Sequence, residues 1–256
     1  MSISTSSAAV QIHEALLSNE TFPDALIQTM SIDEAYDVQF ELLDLRQAKG
    51  DEHAGWKVGL TSKAMQEQQG VHEPCLGHLV RDGHEQSPAI LAFDEMMAPG
   101  FENELCIRMK SGLSGANISF SEAAAAIDAV APAIEVVEKR GVFKADLPLA
   151  LAGNAQQCAF VTGPFKTFTP DMELAAIGVQ VFVNDESQEI ATGAEVLGNP
   201  IHSVIWLAGK LVQYGRGLNP GDMIMSGSFT KQYSVSKGDA VRADFTGFGA
   251  VDIAFE

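Results

Sequence analysis

Two apolar, strand-like runs in this sequence carry carboxylates at positions where a folded chain normally avoids charge. The first run, residues 101–109, has the period-two character of a β-strand and contains Glu102 and Glu104. Residues i and i+2 of a strand point to the same face, so these two carboxylates are predicted to lie side by side. Glu135 lies in a second run, residues 131–137, whose other members are all apolar, and it is therefore predicted to be buried or paired.

Carboxylates that converge in a partly buried place repel one another unless a cation neutralises them. An all-oxygen ligand set suits a hard divalent ion, so the three glutamates are predicted to bind Mg2+ or Mn2+. The alternative is that Glu102 and Glu104 form a solvated strand face while Glu135 pairs with Lys139 or Arg140. The Glu-x-Glu spacing alone does not separate these two interpretations.

A second segment, residues 54–66, places one lysine between a tryptophan and a valine and between two glycines. The pattern predicts that Lys57 lies in a short buried strand, followed by a helix that Thr61 or Ser62 caps. A lysine whose ammonium group lies in a cleft can hold an anion or donate a proton, and the N–H groups at a helix start favour carboxylate binding. The alternative is an edge-strand lysine whose side chain reaches outward to water.

The charge of the chain limits the partners of such a site. Lys and Arg number 16 against 34 Asp and Glu, which gives a net charge of -18. This charge disfavours nucleic acid and anionic membrane surfaces as partners. An anionic substrate must then meet a local positive feature, which a bound divalent cation and Lys57 would supply.

The cysteines and the N-terminal segment bear on the cellular setting. Cys75, Cys106 and Cys158 are odd in number and lack metal-binding spacing, which favours a reduced, cytoplasmic environment. Residues 1–7 contain no basic residue, and no apolar core follows them, so the sequence predicts no secretion signal. No apolar run has the length of a membrane span.

The hydrophobic pattern changes from helical to strand-rich near residue 78. Before this point, residues 8–17 are amphipathic, and Ser31 with Glu34 forms a capping box that opens a helix ending near Gly50. After it, the sequence predicts a hairpin over residues 178–191, strands over 240–245 and 250–255, and helices from Ser119 to about Val130 and from Pro200 to Gly215. We predict an α+β fold with a small N-terminal α/β region, residues 1–78, and a strand-rich catalytic domain, residues 79–256.

Several short motifs occur in an order and spacing that are specific when taken together. They are residues 55–62, residues 70–74 with Gly77, the Glu102-x-Glu104 pair, and residues 133–137, 197–200, 226–230, 238–239 and 248–251. Together they resemble the fumarylacetoacetate hydrolase superfamily, and within it the branch of 2-keto-4-pentenoate hydratases and 4-oxalocrotonate decarboxylases of aromatic catabolism. The resemblance runs through most of the chain.

This resemblance implies a strand-rich barrel or roll with a small helical N-terminal region, in an enzyme that forms homo-oligomers. It implies that Glu102, Glu104 and Glu135 are ligands of Mg2+ or Mn2+. Lys57 is then a catalytic residue beside a small 2-keto or 2-hydroxy acid substrate. Six further residues are expected to contact this substrate: Leu60, Thr61, Ser62, Asn154, Ser228 and Thr230.

The sequence departs from the hydratase pattern at two places. Cys75 stands where hydratases of this branch usually carry an aspartate. Gly153 and Gln156 replace the aspartate and the serine of the usual Ala-Asp-Asn-Ala-Ser stretch. Residues 143–148 are more typical of the decarboxylases, whereas residues 227–230 are more typical of the hydratases.

Hydration of a 2-hydroxy-2,4-dienoate is the activity that the sequence predicts. The reasons are the hydratase-type residues 226–230 and the position of Lys57 as the sole basic residue that can be placed in the cleft, where a dicarboxylate would require a second cation. Decarboxylation of 4-oxalocrotonate type is the alternative. An acylpyruvate-type C–C hydrolase, in which His72 or His78 activates water, and a catalytically degenerate binding protein are further alternatives.

Overall fold

Two mixed β-sheets form most of the fold in the computed structural model, which describes residues 4–141 and 146–256. The helices are α1 (Thr5–Leu17), α2 (Ile32–Ala48), α3 (Lys63–Gln69), α4 (Phe120–Ala125), α5 (Leu147–Ala152) and α6 (Pro200–Val212). The strands are β1 (His53–Gly59), β2 (Cys75–Val80), β3 (His84–Gln86), β4 (Ala89–Leu91), β5 (Gly100–Met109), β6 (Ile127–Val137), β7 (Gln157–Thr162), β8 (Lys166–Thr167), β9 (Gly178–Val183), β10 (Glu186–Thr192), β11 (Met223–Met225), β12 (Tyr233–Ser234), β13 (Ala240–Phe245) and β14 (Gly249–Phe255). The predicted α+β class is confirmed.

The larger sheet has its two longest strands at its centre. Its order is β2-β1-β11-β5-β6-β7-β3, with β12 added beside β5 and β8 beside β6. β5 and β6 run antiparallel, and their register sets Glu102 opposite Glu135 and Glu104 opposite Ala133. Since alternate residues of a strand share a face, this register brings all three glutamates to one face of the sheet.

Helix α2 packs against the face of β1 that carries Trp56, and Lys57 points to the opposite face. The capping box at Ser31 is present, and α2 follows it as predicted. Phe40 of α2 packs edge-on against Trp56 of β1, with ring centroids 6.0 Å apart. β1 and β2 belong to the same sheet as β5 and β6, through β11. The domain boundary at residue 78 stays a prediction.

Most of the predicted elements are confirmed, but the helix after Ser119 is shorter than predicted. The capping box of Ser119 and Glu122 is present, yet α4 ends at Ala125 and β6 begins at Ile127. The prediction of a helix to about Val130 is wrong because residues 127–130 pair with β5, and Val130 lies opposite Ile107. Sheet pairing therefore outweighs the helix propensity of the alanine block.

Some parts of the sequence analysis fall beyond the described residues. These are the first three residues of the N-terminal segment and residues 143–145 of the decarboxylase-like segment. In the described part of the chain, no helix combines the length and the apolar character that crossing a membrane requires.

The imidazole of His78 is buried on the face of the larger sheet opposite Lys57. His78 of β2 pairs with Trp56 across the ladder and is 1% exposed. Neither of its ring nitrogens has a hydrogen-bond partner among residues 4–141 and 146–256. Burial, together with the positive charge of Arg46, lowers the pKa of His78 well below its usual value. The folded protein therefore holds this side chain neutral.

This imidazole is expected to make the fold sensitive to acid. Because the unfolded chain binds a proton that folded His78 excludes, its contribution to stability is complete above pH 6.5 and is lost as the pH falls below that value. Between pH 6.5 and 5, the free energy of unfolding of the wild type should fall more steeply than that of His78→Leu, by up to about 1.4 kcal/mol per pH unit. Urea denaturation at several pH values measures this, with His72→Gln on the surface as the control. Equal slopes for the wild type and His78→Leu would contradict the prediction.

Candidate active site

Three glutamates converge on the face of the larger sheet that is not covered by α2. Glu102 and Glu104 lie on β5, and Glu135 lies on β6. Each can direct one carboxylate oxygen to a common point, and these oxygens lie within 4.8 Å of one another. Glu104 and Glu135 are fully buried, and Glu102 is half-buried. This geometry is suited to holding one divalent cation.

The hydrogen bonds around the glutamates are incomplete without a cation. The backbone N–H of Gly227 donates to Oε2 of Glu104 at 2.8 Å. Oε1 of Glu104 and Oε2 of Glu135 are buried and have no hydrogen-bond partner in the described ranges, and Oε1 of Glu135 has only the ammonium group of Lys57 nearby, 3.3 Å away and not aligned for a hydrogen bond. Buried carboxylates left in this way are costly unless a cation satisfies them, so the residues present fit a hard divalent ion.

The electrostatics of the three carboxylates agree with this geometry. Burial raises the pKa of Glu104 well above its usual range, and the neighbouring charges of Glu135 and Glu102 raise it further. Burial also raises the pKa of Glu135 to about 7, although Lys57 opposes the shift. A cation at this point would relieve the repulsion and favour the ionised forms.

Lys57 extends from β1 into the same site. Its Nζ lies 3.3 Å from Oε1 of Glu135, and the side chain is buried. Burial alone would lower the pKa of Lys57, but the carboxylates of Glu135 and Glu102 outweigh it and raise the pKa above its usual value. Lys57 is therefore an ammonium ion at neutral pH.

The position of Lys57 rules out two alternative interpretations of the sequence. β1 lies between β2 and β11, so Lys57 is not on an edge strand and does not reach outward to water. Glu135 pairs with Lys57 and not with Arg140, which pairs with Glu138 at 2.5 Å. The carboxylates are not a solvated strand face.

Glycine at two positions lets the strands close around Lys57. A Cβ on Gly77 would lie 3.0 Å from Cγ of Lys57, and a Cβ on Gly59 would lie 2.9 Å from Sγ of Cys75. Cys75 is buried in this wall, and burial raises the pKa of its thiol to about 11 although Lys57 opposes the shift. The site therefore has a neutral thiol beside its ammonium group.

A cleft of about 890 Å³ opens above the glutamates. Its lining includes seven of the residues singled out in the sequence: Lys57, Leu60, Thr61, Ser62, Glu102, Ser228 and Thr230. Gly227, with φ at 111°, brings the loop of residues 226–230 against this wall, because a Cβ there would lie 2.4 Å from Cγ2 of Thr61. Asn103 fixes the end of that loop by donating to Oγ1 of Thr230 at 2.8 Å.

Asn154 is not brought to the cleft. Its Oδ1 accepts a hydrogen bond from the backbone N–H of His78 at 2.6 Å, and its Nδ2 donates to the carbonyl of His78 at 2.9 Å. The side chain is 1% exposed. Both ends of the Asn154 amide therefore hold β2 in place. This geometry indicates that Asn154 positions the strand beside Lys57 and does not contact a substrate.

Polar residues that were not predicted as site residues lie farther along the cleft. Lys139, Gln156 and Lys231 line it together with Lys57. The prediction that Lys57 is the sole basic residue in the cleft is therefore wrong. The position of Lys139 could have been predicted from its spacing of four residues after Glu135, which places both residues on the same face of an extended chain.

Comparisons with known proteins identify the family of the chain. The family model for the fumarylacetoacetate (FAA) hydrolase C-terminal domain matches residues 83–255. The chain is 32% identical over 249 residues to 4-oxalocrotonate decarboxylase from Pseudomonas sp. (strain CF600), covering 97% of this chain and 92% of that protein. It is 30% identical over 250 residues to 2-hydroxyhexa-2,4-dienoate hydratase from Comamonas testosteroni, covering 96% and 95%.

A solved structure extends the likeness to the whole fold. The structure of 4-oxalocrotonate decarboxylase from Pseudomonas putida G7, complexed with calcium and acetate, matches with a TM-score of 0.93 and 30% identity. The match covers 98% of this chain and 97% of that one. The family model and these relatives thus agree, and the chain belongs to the fumarylacetoacetate hydrolase family.

Proposed function

We propose that this chain is a divalent-metal-dependent lyase that acts on a small unsaturated 2-keto acid or its 2-hydroxydienoate tautomer. Relatives that share about 30% identity over nearly the whole chain are decarboxylases and hydratases of such acids. Of these two reactions, we propose decarboxylation of 4-oxalocrotonate type. The observation that carries this choice is the buried thiol of Cys75 beside Lys57.

The residues that would hold the metal are Glu102, Glu104 and Glu135. Mg2+ or Mn2+ is the proposed ion, because the ligand atoms are all oxygen and because one similar structure was solved as a complex with magnesium and adipate. A bound divalent cation supplies Lewis-acid stabilisation of negative charge on the oxygens of a 2-keto acid.

The chain's own groups bind and orient the acid. The ammonium group of Lys57 can hold negative charge on the C2 oxygen or donate a proton to it. Thr61 and Ser62 precede α3, and Ser228 presents a buried hydroxyl that no described residue engages. These groups offer hydrogen bonds to the carboxylate end of the substrate. We retain Leu60 and Thr230 as substrate contacts because both line the cleft.

Decarboxylation requires fewer catalytic groups from the protein than hydration does. The bond to the departing carboxylate breaks, carbon dioxide leaves, and the electron pair moves through the conjugated double bond to the C2 oxygen, which takes a proton. No base is required. Hydration requires a group that activates water, and a buried neutral thiol at position 75 does not do so at neutral pH.

Hydration, which the sequence predicts, is the second candidate. The loop of residues 226–230 is of hydratase type and lines the cleft, which favours it. Hydrolysis of an acylpyruvate has less support, because no histidine is among the described residues that line the cleft. We also propose that the protein self-associates and works in the cytoplasm, in line with the reduced cysteines and the exposed Ile90 and Ile190 on the outer strands β4 and β10.

Product analysis distinguishes the two reactions. We expect the protein with Mg2+ or Mn2+ to release carbon dioxide from 4-oxalocrotonate and to leave 2-hydroxypenta-2,4-dienoate as the product. Chelation of the metal should abolish the reaction. NMR of the products, with the same protein offered 2-hydroxypenta-2,4-dienoate, provides the test. A 4-hydroxy-2-keto acid as the dominant product would overturn decarboxylation in favour of hydration, and no turnover of either compound would indicate a degenerate binding protein.

A further inference from the structure

The cleft is lined by three lysines and by three glutamates, Glu102, Glu189 and Glu195, so the charges of its lining balance in a chain whose net charge is -18. Only 16 residues of the chain are Lys or Arg, against 34 acids, yet Lys57, Lys139 and Lys231 all line this one cleft. Lys57 is paired with Glu135. Neither of the other two has a carboxylate within 4.0 Å in the described ranges. Two ammonium groups of the lining thus remain available to an anion.

Lys139 is held at a fixed point along the cleft. Glu135, Val137 and Lys139 follow at spacings of two, and the last two line the cleft. Nζ of Lys139 donates to Oγ of Ser234 at 3.0 Å, and Ser234 lies opposite Gly100 on β5.

The ammonium group of Lys139 lies past the glutamates along β5. Ser234, which accepts its hydrogen bond, is paired with Gly100, two residues before Glu102. Two strand residues span roughly 7 Å, so a ligand held at the glutamates must extend along the cleft to reach Lys139. A diacid, with a carboxylate at each end of its chain, has that form.

A strained turn places an amide in the same part of the cleft. Asn154, Ala155 and Gln156 have φ angles of 70°, 50° and 65°, so three consecutive residues other than glycine are left-handed. Such a run is unfavourable and persists only where the surroundings fix it. Here the N–H of Glu138 donates to the carbonyl of Gln156 at 2.9 Å. The turn thereby holds Gln156 at the cleft wall, next to the residue that precedes Lys139.

We propose that Lys139, assisted by Gln156, binds the far carboxylate of a dicarboxylic 2-keto acid and so sets the preference of the cleft for diacids. This inference rests on the proposed function. Lys139 and Gln156 can together donate charge-assisted and amide hydrogen bonds to one carboxylate. Lys231, whose ammonium group lies 5.1 Å from the ring centroid of Tyr233, adds positive potential without being fixed on the same carboxylate.

Two unreactive analogues test this subsite by binding alone. 2-Oxoadipate and 2-oxohexanoate share the 2-keto acid end and differ only in the far carboxylate. Titration calorimetry on the Mg2+-loaded protein should show that the wild type binds 2-oxoadipate about tenfold more tightly, the factor given by a single charge-assisted hydrogen bond.

Variants of Lys139 identify the group responsible. Lys139→Met should bring the ratio of the two affinities close to one, through weaker binding of 2-oxoadipate, and Lys139→Arg should keep most of the preference. Lys49→Met removes one charge from an exposed position outside the cleft and should leave the ratio as in the wild type. Gln156→Asn, which tolerates a left-handed backbone but is shorter, should reduce the ratio partly.

The outcomes separate the subsite from the proposed function. Equal binding of both analogues by the wild type, or an unchanged ratio in Lys139→Met, would overturn the subsite and leave a lyase of 2-keto acids in place. If neither analogue binds in the presence of Mg2+, the proposed function fails and the subsite with it. Melting temperatures of the variants confirm that each one is folded.

Discussion

Replacement of Glu104 by glutamine is expected to weaken Mg2+ binding by at least about 100-fold, since even groups that only support a metal ligand commonly contribute 10–100-fold. Glu104 is fully buried, and its Oε1 has no partner in the described part of the chain. Glutamine has the same shape, and its amide oxygen can keep the hydrogen bond from Gly227. The change thus removes a ligand charge with little effect on packing.

The same variant should be more stable than the wild type when no metal is present. Three carboxylates lie close together in the apo protein, and burial and mutual repulsion raise the pKa of Glu104. Glutamine carries no ionisable group for burial and repulsion to penalise, and its NH2 group can donate to Glu135. We expect the Tm of the apo protein to rise by about 2–4 °C, which corresponds to roughly 1 kcal/mol in a chain of this size.

Calorimetric titration with Mg2+ and thermal melts with and without the metal measure both effects. The wild type should gain Tm on addition of Mg2+, and Glu104→Gln should not. Glu186→Gln, an equal charge change on an exposed residue, is the matched control. Unchanged Mg2+ affinity in Glu104→Gln would remove Glu104 from the metal site.

The strands that carry this site could be predicted from the sequence, but their pairing could not. Apolar runs with isolated glutamates indicate strands with buried carboxylates, and β5 and β6 match those runs. The register that sets Glu102 opposite Glu135 depends on contacts across the sheet, which local patterns do not encode. Likewise, the burial of Lys57 depends on β11, which comes from far along the chain.

For residues of the cleft walls, residue type predicts function less well than position in the fold does. Asn154 has the chemistry of a substrate contact, but the fold uses both ends of its amide to hold β2. The sequence indicates Lys139 only as a possible partner of Glu135, because the direction of the Lys139 side chain depends on how the chain continues after β6. Sequence periodicity identifies the face of a strand, and it does not show where a neighbouring loop closes a cleft over that face.

Replacement of Lys57 by methionine is expected to reduce kcat by about 10²–10⁴-fold, the range that a positioned proton donor contributes. Methionine approximates the length of the side chain and removes the ammonium group that lies 3.3 Å from Glu135. Lys57→Arg should not restore activity, because arginine is longer and its planar guanidinium group does not place a donor where the ammonium group of Lys57 lies, 3.3 Å from Glu135. Turnover of 4-oxalocrotonate and of 2-hydroxypenta-2,4-dienoate is the measurement.

The effect of Lys57→Met on metal binding should be opposite in sign to that of Glu104→Gln. Removing the ammonium group leaves the three carboxylates with more net negative charge, so Mg2+ should bind at least as tightly as in the wild type. The apo variant should be destabilised, by about 3–5 kcal/mol, because Glu135 stays buried without its cation. Added Mg2+ should recover much of that stability by taking the place of the missing positive charge. A variant with wild-type kcat and KM, or one that loses Mg2+ along with activity, would contradict a catalytic role for Lys57 that is separate from metal binding.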